Sequence, residues 1–436
     1  MTPPPPGPRR PAQGRGGQRR GAPRPSAPPD PLVGTTVEVE VGPIAHGGHA
    51  VARHQGRVVF VRHALPGERV RVLVTEGRAK DSFLRGDAVE VLDASPERVT
   101  PPCPYAGPGR CGGCDFQHVT LAHQRALKAT VVREQLHRLA GLDVEVVVEA
   151  LPGDAEQEQG LRWRSRVEFA VGADGRPGLR GHRSHDVIPV DDCLIADRRV
   201  IDSGVLGTTW TGCTGVDVVA ADEPVDAVVV PLPEHSVPTV VQHVATPTWS
   251  GSFGVSARGF WQVHPGAAPT FTAHLLAELD PQPGERALDL YAGVGLFATA
   301  LADAVGTEGA VLAVEGDDRA VEYALDNVQD LPQVEVRAGE VAEALAALVE
   351  QGLTADLVVL DPPRTGAGRE VVEAVAALRP RAVAYVACDP AALARDTAYL
   401  AGLGYRLRSL RAFDAFPMTH HVECIAVFRP DTPGGE

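Results

Sequence analysis

The sequence predicts an α/β protein in which a doubly wound, mostly parallel sheet follows a small β-barrel and an α+β middle region. Three observations lead to this fold class. From residue 256 onward short apolar runs alternate with helical patterns, residues 31–95 alternate apolar and polar side chains, and 436 residues suffice for about two to four domains. We therefore expect a tail at 1–30, a barrel at 31–95, a central domain at 96–255 and an α/β domain at 256–436.

Composition is that of a soluble globular protein, with 44% hydrophobic and 22% charged residues. The formal net charge of −15 disfavours a nucleic-acid partner, but arginines are concentrated locally, for example at Arg162–Arg166. No apolar run is long enough to span a membrane, so no membrane partner is expected. The few cysteines and the lack of a secretory signal indicate a reducing, cytoplasmic environment. No obligate protein partner is evident.

Residues 1–30 are rich in Pro, Gly and Arg and almost devoid of large apolar side chains. Such a segment cannot bury enough surface to offset its ordering entropy, so we expect disorder. It would act either as a solubilising tail or as an arginine-rich arm that holds RNA phosphates.

The barrel prediction rests on period-2 alternation, as in Val37–Val41, punctuated by turns such as Gly47-Gly48 and Pro66-Gly67. Val59-Phe60-Val61 followed by Leu65–Glu68 resembles the TRAM domain, a small RNA-binding barrel of the OB type. Such barrels bind nucleic acid on one face.

The middle region begins with a predicted helix over about 120–140. Its buried stripe is expected to be Leu127, Val131, Leu136 and Leu139. Its exposed basic side is expected to be Arg125, Lys128, Arg133 and Arg138. A hairpin follows, from Trp163–Val171 through a turn at Asp174-Gly175 back toward Val190.

The pattern of the last region predicts seven strands separated by helices. They are Ala287–Tyr291, Val311–Val314, Val334–Val336, Leu357–Leu360, Val383–Ala387, Tyr405–Leu410 and Val422–Phe428. Ligands of such sheets bind at the carboxyl ends of the strands, near the topological switch point.

A glycine-containing loop, Asp289–Gly295, follows the first of these strands and opens a helix. Glycines there allow close approach to a ligand, and Glu315, about twenty residues on, can accept hydrogen bonds from ribose hydroxyls. Phe297 and Ala298 stand where a dinucleotide loop would have its third glycine. The loop therefore favours S-adenosylmethionine over NAD.

Two further strand ends carry reactive side chains. Asp361-Pro362-Pro363-Arg364 forms a rigid turn, and Arg364 stands where amino-group methyltransferases place an aromatic residue, which disfavours an amino target. Cys388 ends the next strand and is followed by Asp389-Pro390. A thiolate there is a suitable nucleophile for C6 of a uracil ring.

Glu423 lies between Val422 and Cys424 in a strand that otherwise reads as core. A carboxylate in a partly dry site has a raised pKa and can take a proton, so Glu423 is the candidate base. His420 and His421 precede it in this strand and could also carry protons, but adjacent strand residues face opposite ways, so at most one of the two points at the site.

Together these motifs resemble the RNA 5-methyluridine (uracil-C5) methyltransferase family, whose catalytic domain is of the Rossmann-like class I type with a mixed seven-stranded sheet. The most specific pieces are Asp361–Arg364, Cys388–Pro390 and Phe413–Glu423. The resemblance implies that Cys388 is the nucleophile and Glu423 the base. It also implies that Gln262, Tyr291, Glu315 and Asp361 contact S-adenosylmethionine.

Four cysteines could supply thiolate ligands: Cys103, Cys111, Cys114 and Cys193. Their chemistry suits either zinc or an iron–sulfur cluster. The family resemblance favours a structural [4Fe–4S] cluster, with zinc as the alternative, and ribosomal over transfer RNA as substrate. Two other functions stay open at this point: methylation of another nucleic-acid base, and an RNA-binding or chaperone module with a vestigial methyltransferase fold.

Overall fold

The structure is a computed structural model that describes residues 30–78, 81–153, 159–234 and 236–431. The predicted tail lies outside the described residues except for Asp30, whose carboxylate accepts the backbone N–H of Leu32 at 3.0 Å. Its disorder therefore stays a prediction.

The predicted barrel is present as a closed barrel of five strands. They are β1 (Thr36–Ala45), β2 (His49–His54), β3 (Arg57–Arg62), β4 (Arg69–Glu76) and β5 (Phe83–Asp93), in the order β1-β2-β3-β5-β4. Val37, Val39 and Val41 point inward while Glu38 and Glu40 face solvent, as the period-2 pattern requires.

The middle region combines one long helix with an antiparallel sheet. Its elements are α1 (Leu121–Gln135), a π-helical turn (Leu136–Ala140), β6 (Val148–Ala150), β7 (Arg166–Val171), β8 (Pro177–Arg180), β9 (Val187–Pro189), α2 (Arg198–Asp202), a 3₁₀ turn (Val205–Gly207), β10 (Gly215–Val219), β11 (Val228–Leu232), β12 (Thr239–Ala245) and β13 (Ser250–Ser256). The predicted hairpin forms, but its return splits into β8 and β9 within a sheet of order β11-β10-β7-β8-β9. Strands β12 and β13 form a separate hairpin.

The prediction that Lys128 lies on the exposed side of α1 was wrong. This side chain is 1% exposed, and its ammonium group donates to Asp414 Oδ1 at 2.5 Å and to the Phe416 carbonyl at 3.0 Å. Helical spacing cannot reveal a buried partner that lies almost three hundred residues away. Leu139, predicted to be buried, is 44% exposed because the π-helical turn breaks the 3.6-residue period.

The C-terminal region forms the predicted doubly wound sheet. Its elements are α3 (Ala267–Leu279), β14 (Arg286–Leu290), α4 (Leu296–Val305), β15 (Ala310–Glu315), α5 (Asp318–Asn327), β16 (Val334–Ala338), α6 (Val341–Glu350), β17 (Leu357–Leu360), α7 (Gly368–Ala377), β18 (Ala382–Ala387), α8 (Pro390–Gly402), β19 (Tyr405–Asp414) and β20 (Glu423–Pro430).

The strand order is β16-β15-β14-β17-β18-β20-β19-β6. The five strands from β16 to β18 are parallel, and β20 runs antiparallel to β18. All seven predicted strands are confirmed. An eighth, β6, comes from the middle region and pairs with β19, and its three residues are too few to give a periodic signal. Apolar clusters cover both faces of the sheet.

Among the described residues, no helix has the length and apolar character needed to cross a membrane.

Candidate active site

The carboxyl edge of the C-terminal sheet collects four of the predicted residues, one from each of four neighbouring strands. Glu315 ends β15, Tyr291 follows β14, Asp361 follows β17 and Cys388 follows β18. These strands are adjacent and parallel, so their carboxyl ends meet at one edge.

The fifth residue, Glu423, reaches the same edge from the opposite direction. Strand β20 is antiparallel to β18, and the last pair of their register joins Ala387 to Cys424. Cys388 directly follows Ala387, and Glu423 directly precedes Cys424, so both residues lie beside this last pair. The charge of Glu423 acts on the thiol of Cys388, which places the two side chains near each other. The backbone thus brings the candidate nucleophile and the candidate base together.

The surroundings of this pair are acidic and poorly hydrated. Burial, and then the neighbouring charges of Glu423 and Asp361, raise the pKa of Cys388 to about 12, whereas Arg364 lowers it. Burial and Asp361 likewise raise the pKa of Glu423 well above its ordinary value, again opposed by Arg364. Glu423 is 4% exposed, so it is not a surface charge on an edge strand.

The Cys388 side of the pair opens into a cavity of about 170 Å³. Its walls include the barrel turn after β1, helix α1 and the carboxyl edge of the C-terminal sheet. The lining residues are Ile44, Ala45, His46, Gly47, Gly48, Phe116, Leu127, Lys128, Val131, Arg364, Cys388, Asp389, Pro390, His420, His421 and Val422. A thiol at a cavity wall is accessible to a ligand, unlike the core thiol of Cys424, which is 0% exposed.

The expectation that only one of the two histidines points at the site was wrong. His420 and His421 precede β20 in a loop, where strand alternation does not apply. Their ring centroids are 4.1 Å apart, and both residues line the cavity. His420 Nδ1 donates to Asp115 at 2.6 Å. Burial lowers the pKa of His421 to about 3, so this imidazole is neutral.

The predicted cofactor loop has the shape of a cradle. Gly293 has φ +56°, and a side chain there would meet only open space, while its N–H donates to Glu315 Oε2 at 2.7 Å. Asp289 is fully buried, and its Oδ2 accepts the N–H of Ala298 at 2.8 Å in the first turn of α4. The loop is therefore shaped by these two carboxylates and leaves room for a ligand beside Gly293.

The remaining predicted cofactor residues are placed differently. Tyr291 has φ +65° and donates its backbone N–H to Val314 at 2.9 Å, which fixes it between the loop and Glu315. Burial, reinforced by Glu315, raises the pKa of Asp361 to about 7. Gln262 lies in the loop 257–266 between β13 and α3, so its contact with a cofactor stays a prediction.

Most of the large aromatic residues that could stack on a base are buried in the core. Phe116, Trp163 and Trp261 are at most 7% exposed, and Trp163 packs edge-on against Phe416. Phe260, which sequence reasoning missed, is 71% exposed and lies two residues before Gln262. Its neighbours read as a buried aromatic run, and only solvent exposure distinguishes it.

The four predicted ligand cysteines lie in one neighbourhood. Burial is the main cause that raises the pKa of each thiol, and Cys114 is also affected by the charges of Cys193, Cys111 and Cys103. Within the described ranges, however, no group of three or more His, Cys, Asp or Glu side chains has an arrangement that could hold a metal ion. The donor chemistry thus fits a thiolate-bound centre, while the geometry does not show one.

This fold and this edge define the class of the protein: a methyltransferase domain of the S-adenosylmethionine-dependent type joined to an RNA-binding type of barrel. A TRAM domain match covers residues 31–89, and a match to the family described as tRNA (Uracil-5-)-methyltransferase covers residues 277–429. The chain belongs to the RNA uracil-C5 methyltransferase family, as its full-length relatives establish.

Two relatives represent this family. An "uncharacterized RNA methyltransferase" of Streptomyces avermitilis is 48% identical over 92% of this chain and 100% of its own length. The 23S rRNA (uracil(1939)-C(5))-methyltransferase RlmD of Shewanella sp. is 33% identical over 88% of this chain and 93% of its own length.

Among solved structures, the crystal structure of Pyrococcus abyssi tRNA (uracil-54, C5)-methyltransferase in complex with S-adenosyl-L-homocysteine matches with a TM-score of 0.64. The identity is 21%, and the match covers 90% of this chain and 100% of that chain. At this identity the likeness concerns the fold alone.

Proposed function

We propose that this protein methylates C5 of a specific uridine in structured RNA, ribosomal rather than transfer RNA, through a covalent bond between Cys388 and C6. The observation that supports the proposal is the end of the β18–β20 ladder, where Cys388 lines a cavity and the buried Glu423 lies close enough for its charge to act on the thiol. Full-length relatives named as 23S rRNA methyltransferases support the ribosomal substrate.

The residues have the following roles in this proposal. Cys388, as thiolate, adds to C6 and moves the electron pair of the C5–C6 double bond toward C5. S-adenosylmethionine supplies, when bound, the electrophilic methyl group that C5 accepts. Glu423 then takes the C5 proton, the double bond re-forms, and the thiolate of Cys388 leaves. The net change replaces the C5 hydrogen by a methyl group, leaves S-adenosylhomocysteine as the thioether product and passes one proton to water.

Gln262, Tyr291, Glu315 and Asp361 would hold the cofactor at the adjoining part of the edge. Asp361, Glu315 and Glu423 concentrate carboxyl groups at this place, so a cation suits it. Arg364 supplies the opposing positive charge that acts on Cys388 and Glu423. A sulfonium ion there would favour the ionised forms of Cys388 and Glu423.

RNA would reach the edge across the barrel and the middle region. Between them lies a groove of about 410 Å³, whose walls include Phe60, Arg62, Arg85, Arg110, His182 and Arg183. Guanidinium and aromatic groups in one groove suit phosphates and unstacked bases. The target uridine must leave its stack to meet Cys388.

The test uses RNA with tritium at uridine C5 and, in parallel, RNA with 5-fluorouridine. Wild-type protein should release tritium to water and form a denaturation-resistant adduct with the fluorinated RNA, since fluorine cannot leave as a proton does. Tritium retention together with methylated product would indicate another base or atom. Neither product nor adduct, with RNA still bound, would support an inactive binding module instead.

We also propose that Cys103, Cys111, Cys114 and Cys193 hold a structural [4Fe–4S] cluster, with zinc as the alternative. Support comes from the four thiols in one neighbourhood and from the isolated bridge that joins Cys111 to Gly181. Analysis of anaerobically purified protein for iron, acid-labile sulfide and zinc decides between them. Cys193→Ser should lose the metal, Cys213→Ser should keep it, and metal-free wild type would contradict the proposal.

A further inference from the structure

The barrel touches both loops that carry the candidate catalytic residues. Its contact is the turn His46-Gly47-Gly48 between β1 and β2. On one side His46 Nε2 donates to Asp389 Oδ2 at 3.0 Å, and Asp389 directly follows Cys388. On the other side Gly48 packs against His420, three residues before Glu423.

Asp389 connects the barrel to the position of Cys388. Its Oδ1 accepts the N–H groups of Ala391 and Ala392 at 3.0 and 2.9 Å and so caps α8, while Oδ2 is left for His46. The hydrogen bond to Asp389 is also the main cause that raises the pKa of His46. With both oxygens engaged, the carboxylate holds the backbone turn between Cys388 and the helix in one orientation.

The contact at Gly48 leaves no space for a side chain. Its φ is +77°, and a Cβ atom there would lie 2.6 Å from the Cβ of His420. His420 is fixed from behind by Asp115, which accepts its ring N–H at 2.6 Å. The turn is therefore seated between the two catalytic loops and forms part of the cavity wall.

We propose that His46 is a positioning residue for Cys388, acting through Asp389, and that the barrel turn is a structural part of the active site as well as of the RNA-binding barrel. The expected effect on the rate of methylation rests on the proposed function. The effect of His46 on the position of the Cys388 thiol does not. A hydrogen-bonded support of this kind holds a nucleophile near its productive geometry, and small displacements reduce the rate of the chemical step.

The test compares His46→Ala, His46→Gln and His54→Ala in the full-length protein. Gln can place its amide NH₂ near the position of the imidazole Nε2, and His54 lies at the far end of β2 from the turn. We expect His46→Ala to lower kcat and the rate of 5-fluorouridine adduct formation about tenfold, with KM for RNA and cofactor changed less than about twofold. His46→Gln should recover most of the loss, and His54→Ala should match wild type.

A second readout does not require methylation. The alkylation rate of Cys388 by iodoacetamide, relative to Cys213 in the same molecule, should change at least about twofold in His46→Ala and return in His46→Gln. An unchanged ratio, or a loss confined to KM for RNA without rescue by Gln, overturns the inference. If wild type forms no adduct and transfers no methyl group, the proposed function fails, while the alkylation ratio still decides the role of His46.

Discussion

The sheet edge and the cysteine loops both gather reactive side chains from distant parts of the chain, but they do so by different means. At the edge, ladder hydrogen bonds fix the strand ends that carry the residues, because Cys388 and Glu423 directly adjoin the last pair of the β18–β20 register, Ala387 and Cys424. Cys103, Cys111 and Cys114 instead lie in loops with turns. The strand-type pairing described for them is the isolated β-bridge between Cys111 and Gly181. Strand register thus sets a site to within a residue, whereas loops bring side chains only into the same neighbourhood.

The largest expected effect separates two cysteines that lie at neighbouring positions of the same strand pair. Cys388→Ala should reduce methyl transfer by ~10³-fold or more, because the proposed nucleophile is lost, while leaving thermal stability near that of wild type. Cys424→Ala should do the opposite and cost about 1 kcal/mol of unfolding free energy, since this thiol is fully buried. Initial rates and urea unfolding measure the two quantities. Equal loss of activity in both variants would mean that Cys388 acts through packing.

The same contrast explains what the sequence could predict. Strand ends could be predicted because apolar runs and prolines mark them locally, as at Asp361 and Cys388, and Glu423 was found as an acid within an apolar strand. The burial of Lys128 could not be predicted from the sequence, because tertiary packing alone brings its partner Asp414 to it. The contact of His46 with Asp389 could not be predicted either, since no local pattern relates a barrel turn to a strand end 343 positions away.

The second prediction tests the position that sequence periodicity placed on the wrong side of α1. Lys128→Met removes one partner of a buried ion pair, so Asp414 is left with its 3.2 Å contact to Arg125, and we expect a loss of about 3 kcal/mol in unfolding free energy. Arg133→Ala on the same helix breaks an exposed pair with Glu145 and should cost less than about 1 kcal/mol. Denaturant unfolding of both variants measures the difference. Equal costs would mean that Lys128 is hydrated.

The smallest expected effect concerns Asp289, which the sequence singled out as part of the cofactor loop and which the structure shows to be a buried cap of α4. Burial is the main cause that raises its pKa from 3.8 to about 7. The folded protein therefore binds this proton more tightly than the unfolded chain does, so the carboxylate lowers stability progressively as pH rises from about 4 to about 7, and by a constant amount above that. Asp289→Asn keeps an acceptor for the N–H of Ala298 without the charge.

Without cofactor, the Tm of Asp289→Asn relative to wild type should rise between pH 5 and pH 7 by roughly 4–8 °C, the shift that about 2 kcal/mol produces in a domain of this size, and then level off. Asp303→Asn, an exposed change on the same helix, is the matched control and should leave Tm unchanged across the range. Differential scanning calorimetry from pH 5 to pH 8.5 measures both. A Tm difference that falls with pH would show that Asp289 is ionised and stabilising in the folded state, and the edge would then be less apolar than its burial indicates.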